Sequence, residues 1–237
     1  MTQSKVRINK YLAACGYCSR RKADNFIKQG LVKINNKVIT DFSFQVSIHD
    51  DVFVNGVNIK PKRLIYIVLN KPKDYICTVS DEKLRKTVFD LIDIPKSGLF
   101  SVGRLDRNTT GTLLITNDGI LTHKLLHPSS SIIKVYHVTL DNYLPNTILS
   151  ELKSGITINN RLIFFDEIFT LNTEKKNEII LSLHSGQYHI IKRIFSKYGY
   201  LVKKLDRISF AGIDYSSLKR GEWRYLTKNE VKYLYSL

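Results

Sequence analysis

Ser101-Val-Gly-Arg-Leu-Asp106-Arg-Asn-Thr-Thr-Gly111-Thr-Leu-Leu-Ile-Thr-Asn-Asp-Gly119 sets one acidic residue in a polar turn between two apolar runs. Phe100, Val102 and Leu105 approach the turn with the alternation of a strand, and Leu113, Leu114 and Ile115 leave it as a short apolar run, so two strands are expected to meet at a shaped loop. Gly103 and Gly111 bracket that loop and permit backbone angles or close approaches that a side chain forbids. Taken alone, an Asp-x-x-Thr turn fits a carboxylate that accepts backbone hydrogen bonds. It also fits a nucleophile, and Asp106 is the candidate. A phosphotransfer site wants a second Asp two residues on, where Asn108 stands, and an aspartic protease wants contiguous Asp-Thr-Gly; the chain has neither.

Gly103-Arg-Leu-Asp106-x-x-Thr109-x-Gly111, the apolar run behind it and Thr116-Asn-Asp-Gly119 resemble the signature of the pseudouridine synthases of the RsuA/RluB/RluE/RluF type. The resemblance implies that Asp106 is the catalytic aspartate that detaches uracil from its ribose in RNA and lets it rejoin through the 5-carbon, with no metal or organic cofactor. It places Arg104 in the substrate pocket. Lys134-Val-Tyr136 is similar to the family's Lys-x-Tyr segment, so Tyr136 is expected under the target uracil, where stacking on a flipped base is worth about 1–3 kcal/mol. In His184-Ser-Gly-Gln-Tyr-His189-Ile-Ile-Lys192-Arg193-Ile-Phe195 the resemblance implies an ion pair between Lys192 and Asp106. A cation beside a carboxylate that a base covers keeps it charged and fixes its orientation. Ile190 stands where the family commonly carries Gln. Leu201 to Ile213 resembles the last core strand of the family, with Leu205 as the apolar wall of the pocket.

Composition agrees with an RNA partner. The 237 residues carry 37 Lys and Arg against 21 Asp and Glu, a net charge of +16. Such an excess cannot neutralise itself and favours a polyanion, and nucleic acid is expected over membrane because no long apolar span accompanies it. Met1 to Lys10 is polar, without the apolar segment of a secretory signal, which predicts a cytoplasmic protein. Cys15, Cys18 and Cys77 are too few for a structural zinc site and read as small apolar residues.

Residues 1–61 read as a small RNA-binding domain. Ile8 and Leu12 start one helix, and Ser19 caps a second whose Ala23, Phe26 and Ile27 share a face. Asn35-Asn36 and Asn55-Gly56 mark tight hairpins. Arg20, Arg21 and Lys22 crowd the first turn of the second helix, where the macrodipole disfavours cations, so they are expected to grip RNA phosphates. Val6 to Leu12, Ser19 to Asp24 and Gly30 to Asn35 also resemble the alpha-L RNA-binding domain shared by a small-subunit ribosomal protein and several RNA-modifying enzymes.

After a basic connector at Lys60-Pro-Lys-Arg63, residues 62–237 read as the catalytic domain. Strands are expected at Leu64 to Leu69, Ile132 to Leu140, Ile156 to Leu171 and Glu178 to Leu183, and helices at Thr87 to Ile92, Gly119 to Leu126, Pro145 to Gly155 and Ile190 to Tyr198. Direct connections at Asn159-Asn160 and Asn172 to Asn177 favour antiparallel pairing. Thr227-Lys-Asn-Glu230 is a capping box before a final helix. Arg193, Lys203, Lys204 and Arg207 are expected to meet RNA phosphates. The expected whole is an α+β protein with a mostly antiparallel core, a monomer that isomerises a uridine in ribosomal RNA or a pre-ribosomal particle. The alternative is a non-catalytic RNA-binding ribosome-assembly factor.

Overall fold

The computed structural model describes residues 5–47, 49–171 and 177–237. The first four residues of the polar start and most of the expected Asn172 to Asn177 connection lie outside them. The chain divides into two compact units, one formed by residues 1–65, 94–100 and 116–119, the other by 66–93, 101–115 and 120–237.

In the first unit, β1 (Val6–Arg7) leads into α1 (Ile8–Ala14), and α2 (Arg20–Lys28) follows, with the Ser19 hydroxyl accepting from Lys22 N as an N-cap. Next come β2 (Val32–Ile34), β3 (Lys37–Val38), β4 (Gln45–Val46), β5 (Val52–Val54) and β6 (Val57–Asn58). Four of them form a sheet in the order β3-β2-β5-β6, while β4 pairs antiparallel with β1. Asn35 and Asn36 both adopt positive φ, 48° and 64°, as a two-residue hairpin turn requires. Ile8, Leu12, Ala23, Ile27, Val32 and Val54 close the core, all fully buried.

Residues 94–100 and 116–119, expected in the second domain, fold with this unit. Ser97 Oγ donates to Gly16 O at 2.6 Å and receives Lys62 Nζ at 2.9 Å. Asn117 takes the amide of Ile65 at 2.8 Å and gives a hydrogen bond to Arg63 O at 3.0 Å, so the Thr-Asn-Asp-Gly stretch pins the connector.

A nine-stranded sheet dominates the second unit. Its strands are β7 (Tyr66–Lys71), β8 (Phe100–Ser101), β9 (Thr110–Thr116), β10 (Lys134–Leu140), β13 (Glu167–Thr170), β14 (Glu178–Leu183), β15 (Val202–Phe210), β16 (Ile213–Asp214) and β17 (Trp223–Tyr225). The order is β13-β14-β10-β15-β9-β7-β17, with β16 on β15 and β8 on β9. Pairing is antiparallel across β13, β14, β10 and β15 and between β7 and β17, and parallel between β9 and β15. The α+β class and the mostly antiparallel core are therefore as the sequence predicts. A separate hairpin, β11 (Ile156–Ile158) with β12 (Arg161–Ile163), turns at Asn159-Asn160.

Four helices accompany the sheet: α3 (Gly119–Leu126), α4 (Asn146–Ser154), α5 (Ile190–Lys197) and α6 (Lys228–Ser236). Ile191, Ile194 and Phe195 of α5 join Val138, Leu140, Leu181 and Leu183 in one apolar cluster; Leu121, Leu125 and Leu234 join Val68, Leu114 and Phe210 in another. The capping box forms at Thr227 and Glu230. The expected helix at Thr87 to Ile92 is a single 3-10 turn, Val88–Leu91, closed by its own capping box.

Gly111 sits where β9 meets β15, at φ 104°, and a Cβ there would overlap Arg207 O and lie 2.7 Å from Asp206 Oδ1. Neither the backbone angle nor the space admits a side chain. Gly111→Ala should lower stability by about 2–4 kcal/mol, read from urea denaturation; an unchanged midpoint would mean the two strands part easily.

Candidate active site

Asp106 lies on the loop between β8 and β9, and that loop is held from below by a lysine. Lys71, at the end of β7, is 0% exposed. Its Nζ reaches the carbonyl oxygens of Asp106 at 3.1 Å, Arg107 at 3.2 Å, Thr109 at 2.8 Å and Pro72 at 3.1 Å. A loop cannot satisfy its own carbonyls through a ladder, and a buried ammonium answers several at once. Burial pulls the Lys71 pKa down to about 8, against the upward pull of Asp106 and Asp74. From the other side, Cys77 Sγ takes the Leu105 amide at 3.4 Å and lies 3.5 Å from the Leu105 carbonyl oxygen.

The carboxylate of Asp106 has both oxygens engaged. Oδ2 lies 3.1 Å from Lys192 Nζ and Oδ1 lies 3.0 Å from His189 Nε2. Both partners come from the start of α5, where His189 takes a left-handed conformation at φ 51° before the helix begins. Lys192 occupies the first turn, an unfavourable place for a cation, and the carboxylate beside it relieves that cost. Ile190, 6% exposed, is part of the apolar cluster under the helix.

The opposite wall comes from β10 and β15. Tyr136 pairs with Arg207 and Val138 with Leu205, but the register slips between Val135 and Tyr136, so that Lys134 faces Phe210. One extra residue on β15 turns Phe210 to the side of Arg207. The Arg207 guanidinium lies 4.8 Å and the Lys134 ammonium 5.9 Å from the centre of the Phe210 ring. Lys134 Nζ also donates to Ile132 O at 3.0 Å and His184 O at 2.8 Å, and burial, with Arg207 adding to it, pulls its pKa down to about 8.

These walls enclose a cavity of about 170 Å³ lined by Asp106, Tyr136, Lys192, Arg104, Leu205 and Arg207, among others. Six of the residues singled out from the sequence are thus brought to one place. Arg207 is there for a different reason than expected. At 3% exposure, with Nε donating to Thr112 O at 2.9 Å, it is an interior group, and its burial corrects the expectation that it meets phosphate. Lys203 and Lys204 are exposed on β15, and Arg193, on α5, donates to Tyr188 O at 3.5 Å. Arg20, Arg21 and Lys22 belong to the first unit, exposed on the first turn of α2. Lys71, His189 and Lys134 carry no role in the sequence reading, where His189 and Lys134 stand only inside motif segments, and Cys77, read there as a small apolar residue, is a hydrogen-bonding partner of the loop. Among the described residues, no cluster of three or more His, Cys, Asp or Glu is placed to hold a metal ion.

Known proteins resemble this chain along nearly its whole length. The family model for RNA pseudouridylate synthase matches residues 65–197, and the S4 domain model matches residues 6–52. The ribosomal large subunit pseudouridine synthase B of Bacillus subtilis is 36% identical over 234 residues, covering 98% of this chain and 96% of that protein. An uncharacterised RNA pseudouridine synthase of Aquifex aeolicus is 38% identical over 235 residues, covering 98% of this chain and 94% of that protein. The crystal structure of a pseudouridylate synthase superposes with a TM-score of 0.69 at 29% identity, covering 97% of this chain and 99% of the other.

Lys71→Met should cost about 3 kcal/mol or more in urea denaturation, because it removes the one buried donor that the carbonyls of Pro72, Asp106, Arg107 and Thr109 share. The sign of its pH dependence follows from the shift from 10.5 to about 8. Between those values the unfolded chain holds a proton that the folded chain has released, so wild-type stability gains from this group as pH rises through that window. The Met variant should lack that gain, and parallel pH profiles for the two proteins would overturn the assignment.

Proposed function

Because the chain belongs to the RNA pseudouridylate synthase family, we propose that it isomerises a uridine of ribosomal RNA to pseudouridine with Asp106 as the nucleophile. The supporting observation is the carboxylate held at both oxygens by Lys192 and His189, at a cavity that Tyr136 and Leu205 also line. Asp106 attacks either the uracil ring or the anomeric carbon. The bond from C1′ to N1 breaks, the base turns, a bond from C1′ to C5 forms, C5 loses its proton and N1 gains one, so no co-reactant is consumed. In this reading Lys192 orients the carboxylate, Tyr136 stacks on the base, Leu205 supplies the apolar wall and Arg104 stands at the mouth. The target must leave its stack to enter, which favours a loop or an unfolded rRNA segment.

Residues 1–61 act as the RNA grip, through Arg20, Arg21 and Lys22, and residues 62–237 carry the chemistry. The matched S4 domain and the ribosomal substrate in the name of the Bacillus subtilis relative support that division. Arg193, Lys203 and Lys204 extend the basic surface on the catalytic side. Mapping pseudouridine in rRNA with and without the protein tests the activity and identifies the uridine.

Asp106→Asn should keep the fold and RNA binding and abolish isomerisation; pseudouridine formed by the purified variant in a single-turnover assay would exclude Asp106 as nucleophile. Lys192→Met should slow the reaction about 100-fold or more, and Lys192→Arg less, since it keeps the charge. Equal rates for all three side chains would make Lys192 a bystander. Replacing Arg20 and Arg21 together by Ala should lower the log-log salt slope of rRNA binding by about two units, one per lost phosphate contact, while the single-turnover rate at saturating enzyme stays the same. An unchanged slope would remove α2 from the RNA grip.

A further inference from the structure

Tyr188 is absorbed by none of the roles above. It is 72% exposed, and its ring stacks on His189 with centroids 3.7 Å apart and planes at 18°. His189 is itself fixed, by its contact with Asp106 Oδ1 at 3.0 Å and by its place before α5. The Tyr188 backbone is held too, its carbonyl accepting from Arg193 Nη1 at 3.5 Å. Single exposed aromatics are ordinary on protein surfaces. This one is backed by a second ring that touches the Asp106 carboxylate.

An open groove of about 790 Å³ runs past this ring and shares Arg104, Asp106, His189 and Lys192 with the cavity. Arg104 and Arg107 are exposed along it. Arg107 pairs with Asp74 at 3.0 Å, whereas Arg104 makes no ion pair among the described residues. An aromatic shelf in a basic groove suits single-stranded nucleic acid, because an unpaired base offers a free face for stacking while its phosphates answer the arginines. A ring already fixed from behind loses little freedom on binding.

We propose that Tyr188, backed by His189, is the stacking platform for the base of a nucleotide adjoining the target uridine, in a single-stranded segment that runs along the groove past Arg104. The inference rests on the RNA-modifying reading of the preceding subsection and adds a subsite to it. Tyr188 then binds substrate outside the cavity, and Tyr136 inside it.

The test pairs protein and RNA truncations. The probe is a synthetic rRNA fragment containing the mapped uridine, either intact or abasic at the nucleotide before or after it. Tyr188→Phe should retain affinity for the intact fragment, and Tyr188→Leu and Tyr188→Ala should weaken it roughly tenfold. Wild-type protein should lose the same factor on one of the two abasic fragments, and on that fragment wild type and Tyr188→Ala should bind equally. Should Tyr188→Ala weaken intact and both abasic fragments by the same factor, Tyr188 only props His189 and the platform is wrong. The platform is equally wrong if none of the variants changes affinity. Pseudouridine formation by wild type on the intact fragment is scored separately: its absence would overturn the proposed activity, whereas an abasic-independent loss overturns the subsite alone.

Discussion

The contacts of Lys71 are the constraint on which the site depends. A fully buried ammonium tied to carbonyls of residues 106, 107 and 109 fixes the height and direction of the loop above it. That fixes where the Asp106 side chain leaves the backbone, and so whether it meets α5. The lysine can sit there only because β7 is an interior strand, flanked by β9 and β17, whose residues from Ile67 to Lys71 are all buried. An apolar side chain of similar length would fill the space but take away the donor that these carbonyls share.

Positive charge accumulates around a single carboxylate. Lys192 pairs with Asp106, and Lys134 and Arg207 lie over the Phe210 ring without a carboxylate partner within ion-pair distance among the described residues. Burying cations in this way costs stability unless something negative arrives. In the proposed reaction the carboxylate's charge passes to the departing uracil whichever carbon is attacked, and the cationic wall faces the place where that charge develops.

Local and linear features of this fold were legible in the chain. Turn dipeptides at Asn35-Asn36 and Asn159-Asn160, the Ser19 and Thr227 caps and the apolar stripe of α5 are set by neighbouring residues, and each formed where it was read. The family resemblance rested on contiguous motifs and held for the same reason. What could not be read is long-range. Lys203 to Arg207 looks like a basic edge, yet strand alternation puts Arg207 with Leu205 on the buried face and Lys204 on the other, while a second register shift against β10, between Thr139 and Leu140, leaves Lys203 unpaired and exposed. Nothing in Leu69-Asn-Lys71-Pro announces a buried cation, because its partners are carbonyls contributed 35 to 38 residues later.

The division of the chain into residues 1–65, 94–100 and 116–119 on one side and the intervening segments on the other bears on how the protein is made. A ribosome delivers the sequence from its N-terminus at about 5–20 residues per second, and many modular proteins complete their first module before the second emerges. Here the helical unit has all its helices once residue 28 is out, but the segment that docks on Gly16 and the asparagine that pins the connector have not yet been synthesised. They arrive with residues 97 and 117, roughly 2–6 s and roughly 3–10 s after residue 65 at that rate. By then β7 and β8 have been translated as well, so the two units mature over the same interval, and the nascent helical unit spends that time incomplete.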